Sequence, residues 1–252
     1  MSDPVQRLGA LRDVGPAALC MGVFDGVHLG HRALVGLTAR IAARRGLAAA
    51  VLLFDPPPLE VLRPELRVPR LAPVVENLRR LGEAGADAPV ALQFDDGVRQ
   101  LSPEDFLAAL APAIEIRALI MTPDSAFGRS RAGTPDAMRE HGRRGGFEVV
   151  MLDELAAVDG EPVSSSGIRE LLAAGDVAAA TARLGAPPYL AGEADAQGVL
   201  AFGYLPALPA AARYDARLRS GGSARLTVAD DFVAVDPPRA GPIELDLIGP
   251  AG

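Results

Sequence analysis

Gly22-Val23-Phe24-Asp25-Gly26-Val27-His28-Leu29-Gly30-His31 joins an apolar run, Ala17 to Phe24, to a segment, Leu29 to Arg45, in which apolar residues recur at helical spacing. The pattern reads as strand, glycine-bearing turn and helix, with His28 and His31 on one face of the first helical turn. A helix start presents unpaired N–H groups and partial positive charge. Two imidazoles beside it therefore suit triphosphate oxygens and the charge that grows on them during displacement at phosphorus. Gly30, between the histidines, lets a nucleotide approach the backbone closely. The same pair could be two surface histidines near a turn, or two metal ligands. Against the metal, no third His, Cys or nearby carboxylate completes a zinc set. In favour of phosphate, two of the chain's 3 histidines sit here, after a first strand, where doubly wound sheets bind ligands. His141, in an arginine-rich helical stretch, reads as a solvated surface residue.

Outward from this segment the alternation continues. Ala48 to Phe54 reads as a strand halted by Asp55 and the prolines 56, 57 and 58, which open a loop. Helices are expected at 74–81, 103–110 (opened by Ser102), 135–144, 166–174 and 177–184, and strands at 89–94, 118–121 and 147–152. Strands alternating with helices predict an α/β fold, a doubly wound parallel sheet covered on both faces. After Gly185 the texture changes to Gly, Pro and Ala with short alternating runs near 214–218, 224–228 and 243–248. A boundary is placed near residue 186, giving a main domain at 1–186 and a small β-rich C-terminal module at 187–252.

Composition narrows the function. The chain of 252 residues carries a net charge of −7, which argues against nucleic acid and against an anionic membrane surface. No apolar run reaches the length of a membrane span and no signal-like N-terminus is present, so a cytoplasmic protein is expected. All 25 basic residues are arginines, which excludes a P-loop lysine and Schiff-base chemistry. Phosphate binding must then use backbone N–H, Arg, His or hydroxyl groups. The single cysteine, Cys20, excludes an intramolecular disulfide and reads as core packing.

A second motif, Val163-Ser164-Ser165-Ser166-Gly167-Ile168-Arg169, places hydroxyls at a helix start with an arginine in its first turn. A cap explains one serine. A polyphosphate would use all three, with the guanidinium taking two oxygens. Together with Phe54 to Pro64, Phe94-Asp-Asp, Leu101 to Phe106 and Asp124 to Gly133, the two motifs make the chain resemble the bacterial FAD synthetases over residues 15 to 186. These are the adenylyltransferase half of bifunctional riboflavin kinase/FAD synthetases, within the HxGH nucleotidyltransferases. The resemblance implies a Rossmann-like sheet, magnesium, and ATP plus FMN giving FAD plus pyrophosphate. It also implies that His28 and His31 stabilise the ATP phosphates, that Ser164, Ser165, Ser166 and Arg169 hold the polyphosphate, and that Asp124, Phe127 and Gly128 form a loop near flavin and nucleotide. Gly22, Phe24, Asp25 and Gly30 belong to the first motif, and Asp55 to the loop after the second strand. The metal ligands are left unassigned.

Three positions depart from the family pattern, all on the acceptor side. Pro57 stands where the family has histidine, Ser125 where it has an aromatic residue, and Thr122 where it has glycine. The family's kinase segment, Gly-Phe-Pro-Thr-Ala-Asn, is not found after Gly192, so no riboflavin kinase activity is expected and the tail is read as a reduced barrel that packs on the main domain or makes an oligomer contact. Two alternatives stand beside FMN adenylyl transfer: nucleotidyl transfer to another phosphorylated acceptor, and a non-catalytic flavin- or nucleotide-binding paralogue.

Overall fold

The computed structural model describes residues 4–153 and 156–251. They form two compact units, one drawn from Met1–Arg67 with Val74–Ala156 and the other from Val68–Pro73 with Ala157–Gly252.

The first unit holds six strands, β1 (Val5–Gln6), β2 (Gly15–Gly22), β3 (Ala48–Asp55), β4 (Ala88–Gln93), β5 (Ile114–Met121) and β6 (Glu148–Met151). All pair in parallel, in the order β1-β4-β3-β2-β5-β6. Helices α1 (Leu29–Arg45), α2 (Pro58–Leu62), α3 (Val74–Glu83), α4 (Asp96–Gln100), α5 (Pro103–Leu110) and α6 (Pro135–Gly145) lie between them. The doubly wound α/β reading holds, and its mechanism is visible in the central strands. Ala17, Leu19, Ala50 and Leu52 face one core with Phe106, Leu110 and Met138, whereas Ala18, Cys20, Ala49 and Val51 face a second core with Val35, Ala42 and Leu81. Period-two alternation with both faces buried is what turns a strand into an unbroken apolar run. Cys20 packs as expected, and burial pushes its thiol up to about 12.

The structure departs from the sequence reading around the first motif and the proline run. The first strand ends at Gly22, because Phe24 is in the left-handed region at φ 51°. The proline run after Asp55 does not stay a loop: Pro58 opens α2, since a proline costs nothing at a helix start, where its missing N–H would be unpaired anyway. Helix α1 matches its expected span; Gly46 ends it at φ 64°, with its N–H donated to the Ala42 carbonyl.

The second unit contains the hairpin β7 (Ala157–Val158) and β8 (Glu161–Pro162), then α7 (Ser165–Ala173) and α8 (Val177–Leu184). Strands β9 (Tyr189–Ala194), β10 (Leu200–Ala201), β11 (Ala212–Leu218), β12 (Ser223–Val228), β13 (Val233–Asp236) and β14 (Gly241–Pro250) follow. They form an antiparallel sheet in the order β10-β9-β14-β11-β12-β13. An antiparallel bridge between Val199 and Ala234 brings its two ends together, so the sheet curls almost into a barrel around Leu190, Tyr214, Leu226 and Leu245. Closure removes exposed strand edges, which short strands could not otherwise protect. Ile168, Leu172, Ala180 and Leu184 from the two helices pack with Leu71 and Ala207 in a smaller cluster of the same unit.

Candidate functional site

Strand β2 lies at the centre of the parallel sheet, with β3 on one side and β5 on the other, so the strand order reverses beside it. Crevices at such a reversal, outside the carboxyl ends of the strands, are where open α/β sheets bind ligands. The segments that leave β2, β3, β4 and β5 here do line one cavity, of about 630 Å³, reached by Met21 and Gly22, by Phe54 and Pro57, by Phe94 and Arg99, and by Thr122 and Asp124 to Gly128.

The turn leaving β2 is strained. Phe24, Gly26 and Val27 all have positive φ (51°, 78° and 47°), and for a β-branched residue such as Val27 this conformation is an outlier. Neighbours hold it in place. The Gly26 N–H donates to Asn77 Oδ1 at 3.0 Å, and Arg80 Nη1 donates to the Gly26 carbonyl at 2.9 Å. Asp25 is buried within the turn. His28 then caps α1: its Nδ1 accepts from the His31 N–H at 3.4 Å, which leaves the proton of a neutral His28 ring on Nε2. The two imidazoles stack with centroids 3.7 Å apart, and Phe24 supports His31 at 5.0 Å. Burial, and then the neighbouring His28, hold the His31 pKa well below the usual imidazole range, so its ring is neutral at pH 7. Among the described residues, His31 Nδ1 is buried without a hydrogen-bond partner. Imidazoles at a helix start can donate N–H to phosphate oxygens while the helix dipole supplies positive potential.

The FAD synthetase family model matches residues 12–167. The chain belongs to that family. It is 32% identical over 175 residues to a bifunctional riboflavin kinase/FMN adenylyltransferase of Escherichia coli, covering 69% of this chain and 56% of that protein. The proteins of the same description from Listeria monocytogenes (31% over 170 residues, 67% and 54% covered) and Bacillus subtilis (30% over 179 residues, 70% and 55% covered) are similar. The match thus spans about half the length of these relatives. The fold is also that of a crystal structure described as a macrolide-efflux protein from Streptococcus pneumoniae, with a TM-score of 0.79 at 20% identity, covering 95% of this chain and 86% of that one.

The structure places the remaining expected residues as follows. Gly22, Asp124, Phe127 and Gly128 line the cavity, whereas Asp55 ends β3 next to Phe54, its carbonyl accepting from the Phe94 N–H at 3.0 Å. Gly30 lies in the first turn of α1, between His28 and His31 in sequence. All three family departures line the cavity, and two of them touch: Thr122 Oγ1 lies 2.8 Å from Ser125 Oγ, and it donates to Asp124 Oδ1 at 2.6 Å. The Thr122 N–H also donates to Ser125 Oγ at 2.9 Å. Ser164, Ser165, Ser166 and Arg169 belong to the other compact unit. There Ser164 caps α7, its Oγ accepting from the Gly167 N–H at 3.1 Å, and Arg169 Nε donates to the Pro69 carbonyl at 2.6 Å. One edge of that guanidinium is therefore already engaged. Sequence reading missed the cavity's cations, Arg99 and Arg131, and the buried polar residues of α3, Glu76, Asn77 and Arg80.

No helix of the described residues is long and apolar enough to cross a membrane.

Proposed function

We propose that the chain transfers the adenylyl group of ATP to the phosphate of FMN, forming FAD and pyrophosphate, and that it does not phosphorylate riboflavin. The observation that carries this reading is the stacked His28–His31 pair at the start of α1, directly after the strand whose end lines a 630 Å³ cavity with aromatic walls at Phe54, Phe94, Phe106 and Phe127. A cavity of this size and apolar lining suits a fused-ring ligand. Family membership supports the same chemistry, since the similar relatives are described as FMN adenylyltransferases.

In this reaction an oxygen of the FMN phosphate attacks the α-phosphorus of ATP in line as the bond to the bridging oxygen of pyrophosphate breaks, with no covalent enzyme intermediate. Positioning and charge stabilisation supply the acceleration. His28 and His31 donate hydrogen bonds to phosphate oxygens and strengthen them as charge accumulates. Ser164, Ser165, Ser166 and Arg169 are assigned to the polyphosphate on the family pattern. Magnesium would enter with ATP, for among the described residues no group of three or more His, Cys, Asp or Glu side chains gathers to hold a metal alone. It would neutralise phosphate charge with few protein ligands. Residues 1–186 constitute the nucleotidyltransferase region on this reading, and 187–252 a reduced β-module available for an oligomer contact. The setting is cytoplasmic and the partners are small molecules, with no nucleic acid.

The test is pyrophosphate release with MgATP and FMN, riboflavin run in parallel and products separated by chromatography. FAD from FMN with riboflavin unchanged is the expected result; FMN from riboflavin would refute the second half of the proposal. A second reading, transfer to another phosphorylated acceptor, is favoured by one observation: Pro57, Thr122 and Ser125, the three departures, all line the cavity. A panel of phosphorylated acceptors in the same assay separates the two.

A further inference from the structure

The turn that carries the histidine pair is held by buried polar side chains of α3. Glu76, Asn77 and Arg80 of α3 are 4%, 5% and 2% exposed, although they are a carboxylate, an amide and a guanidinium. Arg80 Nε donates to Glu76 Oε1 at 2.7 Å, and Arg79 spans both oxygens of that carboxylate, Nε donating to Oε2 and Nη2 to Oε1, each at 2.7 Å. So oriented, Arg80 donates Nη1 to the Gly26 carbonyl while Asn77 accepts the Gly26 N–H. Both backbone groups of one turn residue are thereby taken by a single helix more than 50 residues away in sequence. Burying such a pair is no efficient route to stability, since apolar residues of the same volume often do as well. The geometry instead does what apolar packing cannot: it fixes the direction of the Gly26 peptide, two residues before His28, in a turn whose Phe24 and Val27 would relax out of the left-handed region if released.

We infer that Arg80 and Asn77, with Glu76 orienting Arg80, are positioning residues that set the His28–His31 pair for phosphate binding and adenylyl transfer. This rests on the proposed phosphate role of the histidines. Because a displacement of about 1 Å can lower a rate roughly a hundredfold, loss of the clamp shows mainly in kcat and in ATP binding, with KM for FMN little changed.

The experiment compares the full chain with Glu76→Leu/Arg80→Met, Asn77→Leu and Asn77→Asp. The first replaces the buried pair by apolar residues and keeps the fold while removing the donor to Gly26. The expected result is a fall in kcat of about tenfold to a hundredfold at a melting temperature near that of the parent. Asn77→Leu should show the same loss, and Asn77→Asp, which keeps an acceptor for the Gly26 N–H, should restore most of it. A kcat per folded molecule within twofold of the parent in the double variant overturns the inference, as does loss of stability alone. If the double variant does not fold, Asn77→Leu against Asn77→Asp decides in the same way. If the parent makes no FAD, the proposed function has failed, and the clamp is then judged by calorimetric titration with a non-hydrolysable ATP analogue and magnesium. At least fivefold weaker binding by the variants upholds it; equal affinity overturns it.

Discussion

Gly128→Ala is the substitution whose effect the structure defines most sharply. Gly128 has φ 70° and ψ 177°, a combination open in practice to glycine alone. A methyl group there would lie 2.7 Å from Pro103 N and 2.9 Å from Pro103 Cγ and Cδ. Neither neighbour can yield. Pro103 is a closed ring at the first position of α5, and Ser102 fixes that end of the helix by accepting the Asp105 N–H at 3.0 Å. The backbone term is about 1–3 kcal/mol and the steric term about 1–3 kcal/mol, so a loss of roughly 2–6 kcal/mol is expected. In a domain of this size that lowers the melting temperature by roughly 4–24 °C. Urea unfolding followed by circular dichroism measures it. The control is Gly82→Ala, at an exposed position in α3 where an added Cβ meets nothing within 4 Å; it should gain roughly 0.5–1 kcal/mol. Because Gly128 and Phe127 line the cavity, FMN affinity read by flavin fluorescence should fall together with stability. A Gly128→Ala protein within 0.5 kcal/mol of the parent would show that this loop does not press against Pro103 in the left-handed conformation, and the argument for the cavity wall would go with it.

Three other outcomes are expected. The unfolded chain binds a proton at His31 near the ordinary imidazole pKa of 6.5, while the folded chain resists it. Stability is therefore lost as pH falls below about 6.5, by at most about 1.4 kcal/mol per pH unit from this group; urea midpoints from pH 7.5 to 5.5 measure the slope, and His31→Asn should flatten it. His28→Ala removes the cap of α1 and, on the proposed function, an imidazole that binds phosphate, lowering stability by roughly 0.5–2 kcal/mol and kcat by about 10²–10³-fold; unaltered pyrophosphate release would remove the phosphate-site argument. A double-mutant cycle of Thr122→Val and Ser125→Ala should give a coupling of about 0.5–1.5 kcal/mol, and strictly additive unfolding energies would contradict the hydrogen bonds between them.

The sequence disclosed what local chemistry determines. Helix α1 was legible because periodic apolar positions, a capping polar residue and Gly46 all agree, and α5 because Ser102 and Pro103 mark its start. The histidine pair was legible because its spacing alone puts both rings on one face. The two-residue β1 was too short to carry a period, and β9 contains Ala191, Gly192 and Ala194, poor strand formers that pairing with β14 holds in place. The clamp could not be read at all. Glu76 and Arg80 flank the apolar face that Val74, Leu78 and Leu81 share with Asn77, and only the turn at Gly26, brought against them by the fold, reveals why all three polar residues are buried. Arg169 shows the converse: its motif suggests a guanidinium devoted to phosphate, yet Nε is already bonded to Pro69, a residue 100 positions away.

The acceptor-side departures change meaning once they are seen in space. Taken singly, threonine for glycine at 122 and serine for an aromatic residue at 125 look like two independent losses. In the structure they are one arrangement: the Thr122 hydroxyl lies between Ser125 Oγ and the Asp124 carboxylate, and the Thr122 N–H closes the ring through Ser125. Either change without the other would lose the contact between the two hydroxyls, whereas together they brace Asp124 at the cavity wall. Erosion of an unused site gives no reason for two substitutions to satisfy each other, but retention of a shaped pocket does. On the proposed function this favours a working acceptor site over a silent one, met at a wall to which Pro57, Thr122 and Ser125 all contribute.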